Sequence, residues 1–497
     1  MNNFVRYLII TSTLLLMVVV GCRKETIFQT KDALLQFSAD TVYLDTVFTT
    51  IGSSTRLLKV YNNTSDNLII SRVYLGNGQS SFFRMNVNGE SGREIKNVEI
   101  RANDSIYVFI EVTTDVMGAN TLLYTDSILF ETGKNQQHVN LVTLAKDAHF
   151  YYPNRILTIN QPAPFPPIEI PYSILPCNAI FGTDKPHVIY GYVVVDSTCT
   201  LNVLAGAEVH FHSGSGLWVY RGGKLLVDEA EQGNFENPVT FQGDRLEPNY
   251  RNIPGQWGGL LGGIFIQSGS EGNIINNAII KNATNALRVD STSSSNPNLR
   301  IKNVQILNNS RVGLYGGYAN IDAQNLIIGN GGLYLFYALG GTYTFRHCTF
   351  ANFWVSSSRN TSAVGLFNFF EDGNGNRFYR ALNQAYFGNC IIYGSAQSEV
   401  ALGIGAGADF NYFFNHALLR INENPDAKHY DVNDATYFNN VILNQNPRFE
   451  DVQNNLYALD SISPALNMGN NNDAQLVPFD IKGTSRLTNP DLGAIER

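Results

Sequence analysis

Through the second half of the chain a six-residue pattern recurs in which two large apolar positions, two residues apart, are bracketed by Asn or His. The clearest copies are Asn277-Ala278-Ile279-Ile280-Lys281-Asn282, Asn303-Val304-Gln305-Ile306-Leu307-Asn308, Asn325-Leu326-Ile327-Ile328-Gly329-Asn330 and His347-Cys348-Thr349-Phe350-Ala351-Asn352, with looser copies starting at Asn389, His416 and Asn440. Side chains alternate across a strand, so the first apolar residue and the one two further on share a face, which is expected to be core. These anchors fall at 278, 304, 326, 348, 390, 417 and 441, at intervals of 26, 22, 22, 42, 27 and 24. A nearly fixed period marks a solenoid, in which each coil buries its apolar face only against its neighbours. The pattern predicts a right-handed parallel β-helix of roughly a dozen coils, on the order of 55 Å long at the usual strand spacing.

The interval of 42 reads as one coil carrying insertions at its turns, with Ala363–Phe367 repeating Gly332–Phe336 and Tyr386–Cys390 repeating Thr344–Cys348. The residue before each anchor is Asn277, Asn303, Asn325, His347, Asn389, His416 or Asn440. Asn tolerates the left-handed turn conformation, and stacked amides hydrogen-bond to one another, so an internal ladder is expected at this position.

Ahead of the solenoid, residues 29–148 alternate apolar and polar over short runs such as Leu57-Leu58-Lys59-Val60-Tyr61 and Ile106-Tyr107-Val108-Phe109-Ile110, separated by turn clusters. This predicts an Ig-like β-sandwich without the immunoglobulin disulfide, since it contains no Cys. Its expected task is to space the helix from a membrane, with a binding role second. The run Gln161-Pro162-Ala163-Pro164-Phe165-Pro166-Pro167 makes residues 149–184 an extended linker and cap. The β-helix is then expected over 185–450 and a closing segment over 451–497. The fold class is all-β.

The chain begins with Met1-Asn2-Asn3-Phe4-Val5-Arg6, an apolar run from Leu8 to Val20, and Val19-Val20-Gly21-Cys22. The run is too short to span a bilayer, and a small residue before Cys is the lipoprotein pattern. Residues 1–21 are expected to be a signal peptide, Cys22 to be lipidated and residues 22–28 to form a tether; an ordinary secretory leader is the alternative. Arg23 stands where an inner-membrane retention Asp would be, which favours the outer membrane, on its cell-surface or periplasmic face. In that oxidising setting Cys177 and Cys199 are expected to pair, while Cys348 and Cys390 are either bonded or stacked thiols. A net charge of −8, from 34 basic and 42 acidic residues with no basic run, argues against nucleic acid as a partner.

The series Leu204-Ala205-Gly206-Ala207-Glu208-Val209, Gly216-Leu217-Trp218-Val219, Asn237-Pro238-Val239-Thr240-Phe241 and Gln256-Trp257-Gly258-Gly259 resembles the opening coils of pectin-lyase-like right-handed β-helix proteins, common among surface lipoproteins of Bacteroidetes. The tail, Ser463–Gly469 and Pro490–Glu496, resembles the closing segment of choice-of-anchor β-helix families. This resemblance covers roughly residue 185 to the C-terminus. It implies the fold, and leaves function open among lyases, hydrolases and proteins without known activity.

A lyase on such a scaffold needs cations and a base, and a hydrolase needs a carboxylate pair, usually on outward strand positions. One and three residues past the anchors stand Ile279, Leu307, Ile327, Ala351, Ile391, Leu418 and Ile442, among others, and none of these positions holds a carboxylate. Of the polygalacturonase motifs only Arg300-Ile301-Lys302 occurs, a chance tripeptide. His210 and His212 have a metal-binding spacing but read as a polar outward face. The remaining candidates are the charged loop Asp244, Arg245 and Glu247 with Trp218, Tyr220 and Trp257, read as a sugar-binding patch against the alternative of a salt-bridged turn. The cluster Asp426–Asp431 is polar but matches no calcium loop. The expectation is a non-catalytic, lipid-anchored protein that binds polysaccharide or belongs to the envelope, with no cofactor and an oligomeric state left open. The alternative is a lyase or glycoside hydrolase, and Ca2+ enters only with a lyase.

Overall fold

The computed structural model describes residues 28–29, 31–49, 51–114, 121–161, 164–247, 250–424 and 429–497. The proposed signal peptide, Cys22, Pro248 and Asp426–Lys428 lie outside the described residues. The chain divides into two compact units, Met1–Lys146 and Asp147–Arg497. No helix among the described residues is long and apolar enough to cross a membrane.

The first unit is a sandwich of two five-stranded sheets. One contains Arg56–Asn62, Asp104–Val112 and Phe83–Val87; the other contains Thr41–Phe48, Asn135–Lys146, Thr121–Thr132 and Leu68–Leu75. Pairing between its described strands is antiparallel except between Thr41–Phe48 and Asn135–Lys146, which run parallel, and Gln29 adds an isolated parallel bridge to Leu68. Strict alternation supplies the core: Ile106, Val108 and Ile110 are buried on a strand whose Tyr107 and Phe109 face outward.

The second unit is a three-sided right-handed parallel β-helix. In a central coil Val312–Gly317 forms the first face, residues 320–324 the second and 326–331 the third, and Phe336–Leu339 then begins the next coil. First-face strands stack in one ten-stranded sheet, parallel except for Arg155–Ile159 at its start. The other two faces run continuously round a corner in an 18-stranded sheet. The inward residues make one core along the stack, including the anchors Ala278, Val304, Leu326, Cys348, Cys390 and Ala417.

The stack starts earlier than the expected residue 185. His149–Tyr151 pairs in parallel with His187–Ile189, and Ile168–Ile174 with Tyr192–Val195. The supposed linker is therefore the first coil. Its prolines at 164, 166 and 167 fall in the turn between Arg155–Ile159 and Ile168–Ile174, where no ladder hydrogen bond is required of them. Cys177 and Cys199 are joined by a disulfide, linking this coil to the next. Cys348 and Cys390 are free and buried, and burial together with the neighbouring Cys348 pushes the Cys390 thiol well up.

The long interval is one coil with two enlarged turns, residues 353–363 and the hairpin Phe369–Glu371/Arg377–Tyr379. Tyr386 and Phe387 lie opposite Thr344 and Phe345, as their spacing implies. Val364, however, pairs with Phe336 rather than Leu333, because residues 332–335 are still turning the corner when the expected strand would begin.

At the corner between second and third faces, all seven residues from Asn277 to Asn440 have φ of 45° to 55°. Their side chains point outward, so the ladder is external to the core. Asn303 donates to Asn277 Oδ1 at 3.0 Å and Asn325 to Asn303 Oδ1 at 2.9 Å. Asn389 and Asn440 bond to His347 and His416 in the same way, at 2.9 Å each.

The C-terminal segment covers this corner and the third face. Asn325 donates to the Phe479 carbonyl, and Asn389 exchanges bonds with the Asn470 backbone. Leu307, Ile327 and Ala351 pack against Tyr457, Ile481 and Ala494, and Ile391 and Leu418 against Leu459, Ala465 and Leu492. The outward positions of this face are thus a second buried interface. Their lack of carboxylates reflects packing, and it carries no weight on catalysis.

Candidate functional site: an aromatic strip on the first face

Alternation along each first-face strand leaves one outward residue in register from coil to coil. Trp218 pairs with Phe265, Phe265 with Arg288, Arg288 with Tyr315, and Tyr315 with Tyr337. These five stand on consecutive rungs, about 4.8 Å apart. A similar local pattern flanks each: Gly216-Leu217-Trp218-Val219, Gly263-Ile264-Phe265-Ile266, Ala286-Leu287-Arg288-Val289, Gly313-Leu314-Tyr315-Gly316 and Leu335-Phe336-Tyr337-Ala338. The residues on either side of the variable position point into the core and fix its direction outward.

The side chains form a continuous strip. Trp218 and Phe265 stack at 6.3 Å, the Arg288 guanidinium lies 4.6 Å from the Phe265 centroid and 5.8 Å from that of Tyr315, and Tyr315 stacks on Tyr337 at 5.4 Å with planes 6° apart. On the next rung the in-register residue is Gly365. A Cβ there would stand 2.7 Å from the Phe367 ring and 2.8 Å from the Tyr334 ring, so the absence of a side chain lets those rings lie across the face. Tyr337 meets Phe367 at 4.9 Å and Tyr334 at 5.1 Å. At the other end Tyr172 and Tyr220 meet Trp218 at 6.3 and 5.7 Å.

Two grooves share Tyr315 and Tyr337. One, of about 640 Å³, is lined by Leu260, Thr284, Asn285, Arg311 and Tyr334 as well. The other, of about 820 Å³, is walled by the inserted hairpin through Phe370 and Tyr379, with Asp290 and Arg380. Arg288 donates from Nε and Nη2 to the two Asp290 oxygens at 3.0 Å each, so this ion pair is closed upon itself. Burial pushes the Tyr337 phenol up to about 12 and raises those of Tyr315 and Tyr334, so all three remain neutral hydroxyls. The arrangement offers flat apolar faces with polar rims, and the lining residues of the two grooves include one carboxylate, Asp290.

Of the residues singled out from sequence, Trp218 and Tyr220 belong to this strip. Trp257 does not: it is 1% exposed, stacked on Phe211 at 4.1 Å inside the core, with its indole N–H donated to the Lys281 carbonyl. Asp244, Arg245 and Glu247 follow a third-face strand, Val239–Gly243. Asp244 holds His212 at 2.8 Å and raises its pKa, while Arg245 donates to both Glu247 oxygens and lies over the Tyr250 ring at 4.1 Å. With Glu247 buried, the loop satisfies its own charges. His210 is buried against Gly243 and Glu208, whereas His212 lies beyond the strand end and is exposed, so the two do not form a pair. Among the described residues no group of three or more His, Cys, Asp or Glu is placed to hold a metal.

Phe265, Arg288, Tyr315 and Tyr337 escaped the sequence reading, which followed the more regular Asn corner. Their signal is the small-or-apolar, apolar, variable, apolar quartet just given.

No curated protein matches the chain. Among solved structures it is similar to a family 123 glycoside hydrolase from Clostridium perfringens, at 9% identity and a TM-score of 0.17, over 24% of this chain and 30% of that one. It is also similar to a PapD-like domain of human CEP192, at 10% identity and a TM-score of 0.16, over 25% of this chain and 97% of that one. The chain thus spans less than a third of the hydrolase. Residues 190–352, which carry the strip from Trp218 to Tyr337, match the family model described as a right handed beta helix region.

Proposed function

We propose that this protein binds polysaccharide along the first face of its β-helix, without catalysing its cleavage, and that it is held at the outer membrane by lipid on Cys22. The observation that carries the reading is the in-register strip Trp218, Phe265, Arg288, Tyr315 and Tyr337. Aromatic faces stack on the C–H faces of pyranose rings, and a rung spacing of about 4.8 Å is close to the length of one sugar unit, so a linear glycan lying along the axis meets a ring or guanidinium at each step. Hydrolysis needs two carboxylates across the bond to be broken, and the one carboxylate lining the grooves, Asp290, is bound to Arg288. The lipid anchor rests on the Gly21-Cys22 pattern alone.

The test is to titrate the protein with neutral and acidic polysaccharides while following unsaturated-uronate absorbance and new reducing ends. Binding that falls about tenfold in Tyr337→Ala, with neither product signal, supports the reading. Product of either kind makes the protein an enzyme, and no binding across the panel removes the glycan. For the anchor, loss of palmitate labelling in Cys22→Ser is expected; labelling that persists there would sink it.

A further inference from the structure

We propose that the glycan is anionic, and that Arg311 and Arg380 hold its carboxylate or sulfate groups on either side of the Tyr315–Tyr337 platform; this rests on the glycan-binding reading above. The cations that line the two grooves are Arg288, Arg311 and Arg380. Arg288 meets the Asp290 carboxylate within the strip itself. Arg311 and Arg380 do not share that arrangement. Arg311 is exposed in the 640 Å³ groove, and its side chain makes no hydrogen bond or ion pair among the described residues. Arg380 is exposed in the 820 Å³ groove, where it donates to the Tyr379 carbonyl at 2.9 Å and lies 5.8 Å from the Phe370 centroid, with no carboxylate partner among the described residues.

Each groove therefore holds one arginine that meets no carboxylate among the described residues, while the whole chain carries −8. Net negative charge disfavours a polyanion in general, and a local excess of cation favours it, the more so beside a surface on which its rings can stack. Guanidinium supplies a planar fork that fits the two oxygens of a carboxylate or sulfate, and the shared tyrosines connect the two forks through one continuous surface. A neutral glycan would leave both forks unused. A uronate or sulfated polymer fills them at intervals set by its repeat.

The probes are polygalacturonate, dextran sulfate and neutral dextran, titrated calorimetrically into the full chain, the Arg311→Gln/Arg380→Gln double variant and Tyr337→Ala. Thermal unfolding checks that both exposed-arginine replacements remain folded. At least one acidic polymer is expected to bind at least tenfold more tightly than dextran. The double variant is expected to lose about tenfold of that affinity per arginine, and to leave any dextran binding unchanged. Tyr337→Ala should weaken all bound polymers alike. Binding of polygalacturonate alone identifies carboxylate as the recognised group, of dextran sulfate alone sulfate ester, and of both the charge they share. Equal affinity for neutral and acidic polymers, or acidic binding untouched in the double variant, overturns the charge assignment while Tyr337→Ala still tests the strip. Binding of none of the three overturns both.

Discussion

The ring of Tyr457 occupies the space that a side chain at Gly329 would need: a Cβ placed on Gly329 would lie 2.7 Å from the ring carbons. Gly329 is an outward position of the third face, and Tyr457 belongs to the C-terminal hairpin that covers it. Gly329→Ala is expected to lift the hairpin and cost about 1–3 kcal/mol, the usual range for overpacking a filled interface. Urea unfolding measures the cost, and limited proteolysis should cut the variant first between residues 449 and 497. A variant as stable and as protease-resistant as the parent would mean that the segment is not held by this contact.

Asn303 combines a left-handed backbone, φ 55°, with two ladder bonds, one given to Asn277 and one received from Asn325. Asn303→Ala removes both bonds and places a Cβ residue that lacks a local compensating amide in the left-handed region, for an expected loss of about 2–4 kcal/mol. Asn303→Gly relieves the backbone part and should recover about 1 kcal/mol of it. Chemical denaturation of the two variants separates the contributions. Equal losses would assign the whole effect to the amide.

How much of this was readable beforehand depended on which device the residues used. The Asn corner was legible because a left-handed φ selects so strongly for Asn that the residue itself marks the turn, coil after coil. The strip was not, because an outward position accepts any residue that its ligand requires: Trp218, Phe265, Arg288, Tyr315 and Tyr337 share a direction but no single residue type. The third face misled for the opposite reason. Ile327 and Leu418 look like an empty solvent face until the C-terminal segment, far ahead in the sequence, is laid on them by Tyr457 and Leu459 respectively. The early start of the stack was hidden by prolines that punctuate a turn as readily as they stiffen a linker.

Arg486 is wholly buried, bonded to Asn325 Oδ1 at 3.1 Å and to Glu496 at 2.9 Å. Burial and the neighbouring Asp491 push the Glu496 carboxyl up from 4.5 to about 7, against the pull of Arg486. A carboxyl whose folded pKa is raised binds its proton more tightly in the folded state. Its contribution to stability is therefore complete below about pH 4.5 and is lost as pH rises through 7. Glu496→Gln has no proton to lose, so the difference in urea midpoint between the parent and this variant should drift in the variant's favour from pH 4.5 to pH 7.5. A constant difference across that window would show that Glu496 is charged throughout.

Phe336 and Tyr337 are adjacent on one strand and point in opposite directions. Phe336 is fully buried, packed on Phe345 at 4.8 Å and Tyr343 at 5.1 Å, while Tyr337 stands in the strip. Phe336→Ala leaves a cavity in the shared core and is expected to cost about 3–5 kcal/mol, felt mainly by the coils on either side because a solenoid couples nearest neighbours. Tyr337→Ala should change stability by no more than about 1 kcal/mol and lower polysaccharide affinity about tenfold. The crossed pair of measurements, unfolding free energy and binding on both variants, separates scaffold from site. If Tyr337→Ala instead unfolds the protein as Phe336→Ala does, the aromatic strip is part of the fold's own packing and the first face loses its claim to be the binding surface.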